Sequence, residues 1–371
     1  MRFVHSSDWQ IGRVFRFADD ITLGVLSDAR LDVIGRLGAL ARAQNAPSVL
    51  VAGDIYDVER PSDRTLRQPI ERMAAAPDIA WHLIPGNHDP HRPGGAWDRL
   101  LRNERPANIH LHLDEQAADI GGATLLPAVL REKHASGDPT EAFDAMRTPE
   151  GAIRIGLAHG SVRGFGDNAA AHNRIAIDRA QRAGLAYLAL GDWHGAQEAG
   201  ARTWYSGTPE TDDFSTGGRG GGEALVVDVA GPAAPPSVAI HRIGRFRWQR
   251  DEARLFNQGD IDALDARVRA LSPSLDEVLV WLEVTGSLSL VELTRFEWAV
   301  AGLGAALRLL RLDRDGLRAT PETADLDAIE RAGPIRQAAE RLSHAAATDP
   351  IAAAALLRLA HMARQSAEDV A

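Results

Sequence analysis

Five short clusters along this chain hold the residue types that bind divalent cations or pass protons to phosphate: Asp8 with Gln10, Asp54, Asn87-His88-Asp89, His159, and Asp192 with His194. Two divalent cations about 3.5 to 4 Å apart can grip both oxygens of an in-line phosphoryl displacement and acidify a bridging water. Such a pair needs one carboxylate that reaches both cations. Asp54 suits that role, because Gly53 before it lets the chain turn sharply and approach closely. Asp8, Gln10 and His194 then complete one cation's shell, and Asn87, His159 and Asp192 the other. His88 is left without a cation, free to face a phosphate and give it a hydrogen bond or a proton.

Each cluster follows a short apolar run that reads as a buried strand. The runs are Phe3 to Ser7, Val49 to Ala52, Trp81 to Pro85, Ile153 to Ala158 and Tyr187 to Leu190. In an α/β sheet the side chains at the carboxyl ends of strands converge along one edge, so five loops rich in Asp, Asn and His are expected to meet there. Helical spacing lies between the runs. Val33, Leu37 and Leu40 recur on a segment ending near Pro47, and Leu66, Ile70 and Met73 recur before Pro77.

The order of these elements resembles the calcineurin-like binuclear metallophosphoesterases, whose pattern is D-x-H, G-D, G-N-H-D, H and G-H-x-H. Within that superfamily the chain is similar to the SbcD-type nuclease subunits of double-strand-break repair complexes, through Ser7-Asp8-Trp9-Gln10-Ile11-Gly12, Val51-Ala52-Gly53-Asp54-Ile55-Tyr56-Asp57 and Ile84-Pro85-Gly86-Asn87-His88-Asp89. The match spans roughly residues 1 to 210. It implies a four-layer α/β/β/α sandwich, two divalent cations, His88 as the catalytic residue, and Asp57 and Asp89 behind the ligands, with Asp89 the expected orienting partner of His88. Two ligand positions depart from the pattern. Gln10 and Asp192 both stand where the family has histidine, so oxygen replaces nitrogen at each. That change favours manganese or magnesium over zinc, and Asp192 adds a negative charge that weakens the cations as Lewis acids.

Composition narrows the remaining choices. The chain has 371 residues, enough for two or three domains, and no cysteine, which excludes disulfides, thiolate zinc sites and thiol nucleophiles. No signal peptide or membrane span is legible, so a cytoplasmic protein is expected. The net charge of −10 disfavours indiscriminate coating of nucleic acid but not a local DNA groove. Positive charge is nearly all arginine, Lys133 being the single lysine. Candidate DNA contacts are Arg13 after the first loop, Arg131 and Lys133 in a small basic cluster with His134, and Tyr205, in a turn resembling one that shapes the substrate site in SbcD-like proteins. Each has a bland alternative: a solvated charge for the basic residues, a packed aromatic for Tyr205.

Residues 1–248 are expected to form the phosphoesterase domain. The run Gly217 to Gly222 reads as a hairpin loop before a strand at Ala224 to Val229, and Gly231 to Pro236 as a stiff connection. A small α/β domain is expected over 249–319, with a helix through Ile261, Leu264, Val268 and Leu271, a strand from Val278 to Val284, a capping box at Ser289-Leu290-Val291-Glu292, and a strand from Ala306 to Leu312. The resemblance makes this a capping domain that orients DNA. Residues 320–371 read as a helical tail with Ile351, Ala355, Leu359 and Met362 on one stripe, the place where SbcD-like subunits bind an SMC-like ATPase. It also implies a homodimer. His5, His82, His110, His112, His172 and His241 show no partner in the sequence. Three functions stay open: a DNA phosphodiesterase of a break-repair complex, a small-molecule or phosphoprotein phosphoesterase, and a catalytically weakened DNA-binding subunit.

Overall fold

A computed structural model describes residues 1–164, 172–214, 221–320, 323–346 and 349–368. The chain divides into two compact units, Met1–Phe246 and Arg247–Ala371.

In the first unit two six-stranded sheets pack face to face. One sheet carries the strands Arg2–Ser6, Ser48–Val51 and Ala80–Leu83 side by side and parallel; the other carries Arg154–His159 beside Tyr187–Gly191, also parallel. Alternation along each strand explains the layering. Phe3, Leu50 and Ile84 point inward to meet Leu125, Ile155, Leu157 and Tyr187 of the opposite sheet. Their neighbours Val4, Val49, Val51, Trp81 and Leu83 point outward into a second core with Ile34, Leu37, Leu66 and Met73. Those last residues lie on helices Asp20–Ala43 and Asp63–Ala74, whose first turns are capped by Asp19 and Ser62. The far face of the second sheet is covered thinly, by Phe143 of the turn Glu141–Asp144 and Ala180 of the short helix Arg179–Arg182. The result is an α/β sandwich of the layered kind expected. The five strand ends come from both sheets of this sandwich.

The strand Glu223–Asp228 pairs with Arg2–Ser6 on one side and Ser237–Arg242 on the other, with Gly231 to Pro236 in the connection between them. Of the glycine run, Gly217 to Gly220 lie outside the described residues.

The second unit is a three-stranded parallel sheet in the order Arg247–Leu255, Val278–Leu288, Leu309–Ala319. Helices Gln258–Arg269 and Leu290–Ala306 supply Leu264, Val268 and Phe296 to its core against Val280, Leu282 and Val284. The Ser289–Glu292 capping box forms, and a second one forms at Asn257 and Asp260. Two boundaries move. The expected start at residue 249 falls inside the strand Arg247–Leu255, whose polar run Gln249-Arg250-Asp251-Glu252 breaks up its apolar residues and so hides a buried-strand signature. The final strand begins at Leu309, because the helix runs on to Ala306, and its later half is exposed and polar.

The tail is tied to this unit rather than separate from it. Leu290 packs with Ala339, Leu356 and Ala360, and its backbone N–H donates to Asp325 Oδ2 at 3.1 Å. On the last helix, Pro350–Glu368, the buried stripe is Ala352, Leu356 and Ala360, one step round from the expected one; Ile351 and Met362 are exposed. No described helix is long and apolar enough to cross a membrane.

Candidate metal centre

The loops after the five strands are drawn together by backbone contacts before any side chain is considered. Asp8 N donates to Gly53 O at 3.1 Å and Gln10 N to Asp54 O at 2.9 Å, which laces the first loop onto the second. The spacing leaves no room for side chains at the turns. A Cβ on Gly53 would stand 2.6 Å from His159 Nδ1, and one on Gly86 would stand 2.0 Å from Asp54 Oδ1. Four of the expected ligands, Asp8, Gln10, Asp54 and Asp192, have positive φ, at 53°, 47°, 54° and 103°. Non-glycine residues seldom adopt that region, and such strain clusters at functional sites.

Asp8, Asp54 and His159 are buried, with one ligand atom each lying within 4.8 Å of the others. His159 Nδ1 donates to Ala52 O at 2.8 Å, which fixes the tautomer and turns the Nε2 lone pair toward Asp54 Oδ1 at 3.6 Å and Asp192 Oδ1 at 3.8 Å. That Nε2 has no hydrogen-bond partner among the described residues, and neither has the buried Oδ1 of Asn87. Asn87 Nδ2 donates to Asp192 Oδ1 at 3.4 Å, and Ser161 Oγ donates to Asp192 Oδ2 at 2.6 Å. Ser7 Oγ holds Asp8 Oδ2 at 2.5 Å, while Asp192 N reaches the same carboxylate at 3.2 Å.

Electrostatics show what this cluster lacks. Burial pushes the Asp8 carboxyl up to about 6, against the pull of His159 and His194. Burial alone would depress His159, but Asp54, Asp8 and Asp192 outweigh it and hold the imidazole at about 9. Three carboxylates around one imidazole suit a divalent cation, which Asp8, Asp54 and the neutral form of His159 would hold. The oxygen-rich donors, the two unpartnered buried atoms and the close carboxylates fit a hard divalent ion.

His88 stands beside this group. Its backbone N–H donates to Asp54 Oδ1 at 2.9 Å, and its Nδ1 lies 3.3 Å from Asp57 Oδ1. The bond to Asp57 raises the His88 pKa, with Asp54 adding to it against partial burial. The expected orienting partner is thereby corrected: Asp89 is buried and accepts from Gly86 N at 2.7 Å and Tyr56 N at 3.1 Å, so it braces the turn and Asp57 orients the imidazole.

His194 and Gln10 sit differently. His194 Nδ1 lies 3.1 Å from Asp212 Oδ1, and its Nε2 lies 3.1 Å from Gln10 Nε2. Gln10 Oε1 accepts instead from Arg13. Arg13 also pairs with Asp212 Oδ2 at 3.0 Å, so it is engaged inside the centre rather than offered to DNA. Arg30, fully buried, lies 3.3 Å from the same Asp212 oxygen. Asp212 and Arg30 had no motif to announce them. Their only signal was an acidic pair, Asp212-Asp213, soon after the last loop.

The other DNA candidates separate. Tyr205 is buried, its hydroxyl donating to Gly160 O at 2.9 Å and accepting from Val162 N at 2.9 Å, so it is a structural aromatic and that candidate is withdrawn. Lys133 is exposed, as is Arg131, whose guanidinium lies 3.4 Å from His91 Nδ1, three residues beyond His88. Three of the unassigned histidines also find partners: His5 Nδ1 meets Tyr187 Oη at 3.0 Å, and His82 Nδ1 and His112 Nε2 meet each other at 3.1 Å.

Residues 1–182 match the calcineurin-like phosphoesterase family. The chain carries a calcineurin-like phosphoesterase domain. It is the domain of a metal-dependent phosphoester hydrolase, and SbcD subunits are among the proteins the chain is similar to. The chain is 28% identical over 379 residues to the SbcD subunit of the SbcCD nuclease of Rhodobacter capsulatus, covering 87% of this chain and 89% of that one. It is 25% identical over 256 residues to the SbcD subunit of the SbcCD nuclease of Bacillus subtilis, covering 59% and 64%. The crystal structure of TT1561 of Thermus thermophilus aligns with a TM-score of 0.43 at 12% identity, over 65% of this chain and 98% of that one. In this phosphoesterase domain Asp8, Asp54, Asn87, His159 and Asp192 converge on one point, and His88 borders it.

Proposed function

We propose that the protein is a metal-dependent DNA phosphodiesterase of a break-repair complex, the nuclease subunit of an SbcCD-like assembly. The observation that carries this reading is the buried Asp8–Asp54–His159 group with His159 Nε2 and Asn87 Oδ1 left unpartnered, bordered by an imidazole held on Asp57. Asp8, Asp54, Asn87, His159 and Asp192 would hold the metal, Asp8 lying with Asp54 and His159 rather than in the shell expected for it with Gln10 and His194, and those two would stand on the side of a second ion. Manganese is the preferred ion and magnesium the substitute, on the strength of the oxygen-rich donors.

When bound, the metal supplies Lewis acidity and an activated water. The chain's own residues do the rest. The Asp57 contact favours the charged form of His88, which suits it to donate to a phosphate oxygen as negative charge grows there. Rigid placement comes from the turns at Gly53 and Gly86, where added side chains would collide with the ligands. Arg131 and Lys133 remain as candidate phosphate contacts. The second unit is read as a DNA-orienting cap. The exposed Ile351 and Met362 make the last helix the proposed docking element for an SMC-like ATPase, with the phosphoesterase units pairing as a homodimer in the cytoplasm.

The deciding experiment assays the purified chain with manganese on labelled single- and double-stranded DNA beside bis(p-nitrophenyl) phosphate. DNA cleavage abolished by EDTA is expected. Hydrolysis of the small ester with intact DNA would favour a small-molecule phosphoesterase, and bound manganese without any hydrolysis would leave a DNA-binding subunit.

A further inference from the structure

The two halves of the centre are unequal, and we infer that the chain holds one divalent cation tightly and closes the second position with a lock made of Gln10, Arg13, His194 and Asp212. The inference rests on the metallophosphoesterase reading and refines it.

Hydrogen-bond logic fixes the lock. A guanidinium can only donate, so the Gln10 atom facing Arg13 is the carbonyl oxygen. The amide nitrogen of Gln10 is then the atom 3.1 Å from His194 Nε2. An amide nitrogen also only donates, so Nε2 must offer its lone pair. At the other side of the ring, Asp212 only accepts when ionised, so Nδ1 carries the proton toward it at 3.1 Å. A single tautomer of His194 satisfies both contacts. Its consequence is that the lone pair suited to a metal is spent on the Gln10 amide.

The Gln10 oxygen, the only metal-binding atom of that side chain, is spent on Arg13. Two guanidiniums, Arg13 at 3.0 Å and the buried Arg30 at 3.3 Å, stand at ion-pair distance from the other oxygen of Asp212 and favour its place beside His194. The opposite half shows the reverse: its ligand atoms are drawn together while His159 Nε2 and Asn87 Oδ1 lack partners among the described residues. One half thus keeps metal-binding atoms open, and in the other the Gln10 oxygen and His194 Nε2 are already engaged. In the lock the Arg13 guanidinium places fixed positive charge where a histidine-bearing site would recruit a second ion. Opening it requires Gln10 to turn its amide over and Arg13 to withdraw, which breaks a charge-assisted bond and disturbs a carboxylate–histidine pair. Losses of that kind weaken metal binding by roughly ten- to a hundredfold.

Manganese titration of the metal-free full chain tests this, by calorimetry and by electron paramagnetic resonance of unbound manganese. Expected is one tight equivalent per chain, with a second about a hundredfold weaker. Gln10→His should bring the second equivalent to within about tenfold of the first. Arg13→Ala, which frees the Gln10 oxygen without adding a ligand, should tighten it by a smaller factor. Two equivalents of equal affinity in the unaltered protein would overturn the lock, as would a folded Arg13→Ala variant whose second equivalent is unchanged. A chain that binds no manganese and hydrolyses no phosphodiester would overturn the phosphoesterase reading itself, an outcome distinct from two equal sites.

Discussion

The strand-end loops of the first unit and the small second unit obey opposite rules. Around Asp54 the chain accepts left-handed ligands, crowded glycines and buried carboxylates, and burial raises the pKa of Asp8. In the second unit, helices begin with complete capping boxes and the core is Leu, Val, Ile and Phe. Local preference and global fold agree there, as minimal frustration requires. Where they disagree, in the loops, a bound ion is the missing term. The contrast implies that changes in the loops remove chemistry with little cost in folding, and changes in the second core do the reverse.

The most severe test of the contrast is Asp54→Asn. It keeps shape and an acceptor for His88 N–H but removes the carboxylate shared by the centre, so metal binding and hydrolysis should fall below detection while the metal-free protein melts within a few degrees of wild type. A large drop in melting temperature would make Asp54 a folding residue and erase the contrast. Phe296→Ala probes the other side. Phe296 is fully buried in the second core, so about 3 to 5 kcal/mol of stability should be lost in urea titrations, with manganese affinity at low temperature unchanged. Next in size is His88→Ala, expected to lose about a hundredfold in rate while binding manganese as before; loss of metal would reassign it as a ligand. In the same assay Asp57→Asn should shift the alkaline limb of the rate profile to lower pH, since it removes the group that raises the His88 pKa.

The smallest expected effect is an acid sensitivity outside both regions. Burial depresses His82 to about 3, with His112 and His110 adding to it. The unfolded chain binds that proton near pH 6.5 and the folded one does not. Stability is therefore full above about 6.5 and declines as pH falls below it, by up to about 1.4 kcal/mol per pH unit for this group. Urea midpoints at pH 7.5 and 5.5 should show the decline, and His82→Gln should lessen it, while His5 and His112, also depressed by burial, keep part of it.

Much of this was legible in the sequence because it is local. An apolar run that stops at Gly53-Asp54 or Gly86-Asn87-His88-Asp89 announces strand, turn and ligand in a single stretch, and Ser289 with Glu292 announces a helix start. What escaped depends on distance along the chain or on side-chain direction. Asp212 acts on a histidine 18 residues earlier and on Arg30 far upstream. Periodicity could not foretell that pairing. Arg13 has the position of a DNA contact, yet its guanidinium turns inward to Gln10 and Asp212. Tyr205 lies in the right turn with its hydroxyl facing backbone. The strand Arg247–Leu255 hid behind its charges because a sheet face open enough to carry Arg250 and Glu252 leaves no continuous apolar run.

The ligands reach the centre from both sheets: Asp8, Asp54 and Asn87 follow strands of one, and His159 and Asp192 follow strands of the other. A cation seated among them would crosslink two layers joined otherwise by apolar contact and a few hydrogen bonds such as His5–Tyr187 and His159–Ala52. Its binding energy is then also energy of cohesion, growing by RT ln(1 + [L]/Kd) with free ion. A chelator would act on this protein as a mild denaturant of one interface, and amide exchange along the inner strands would report ion occupancy without any substrate present.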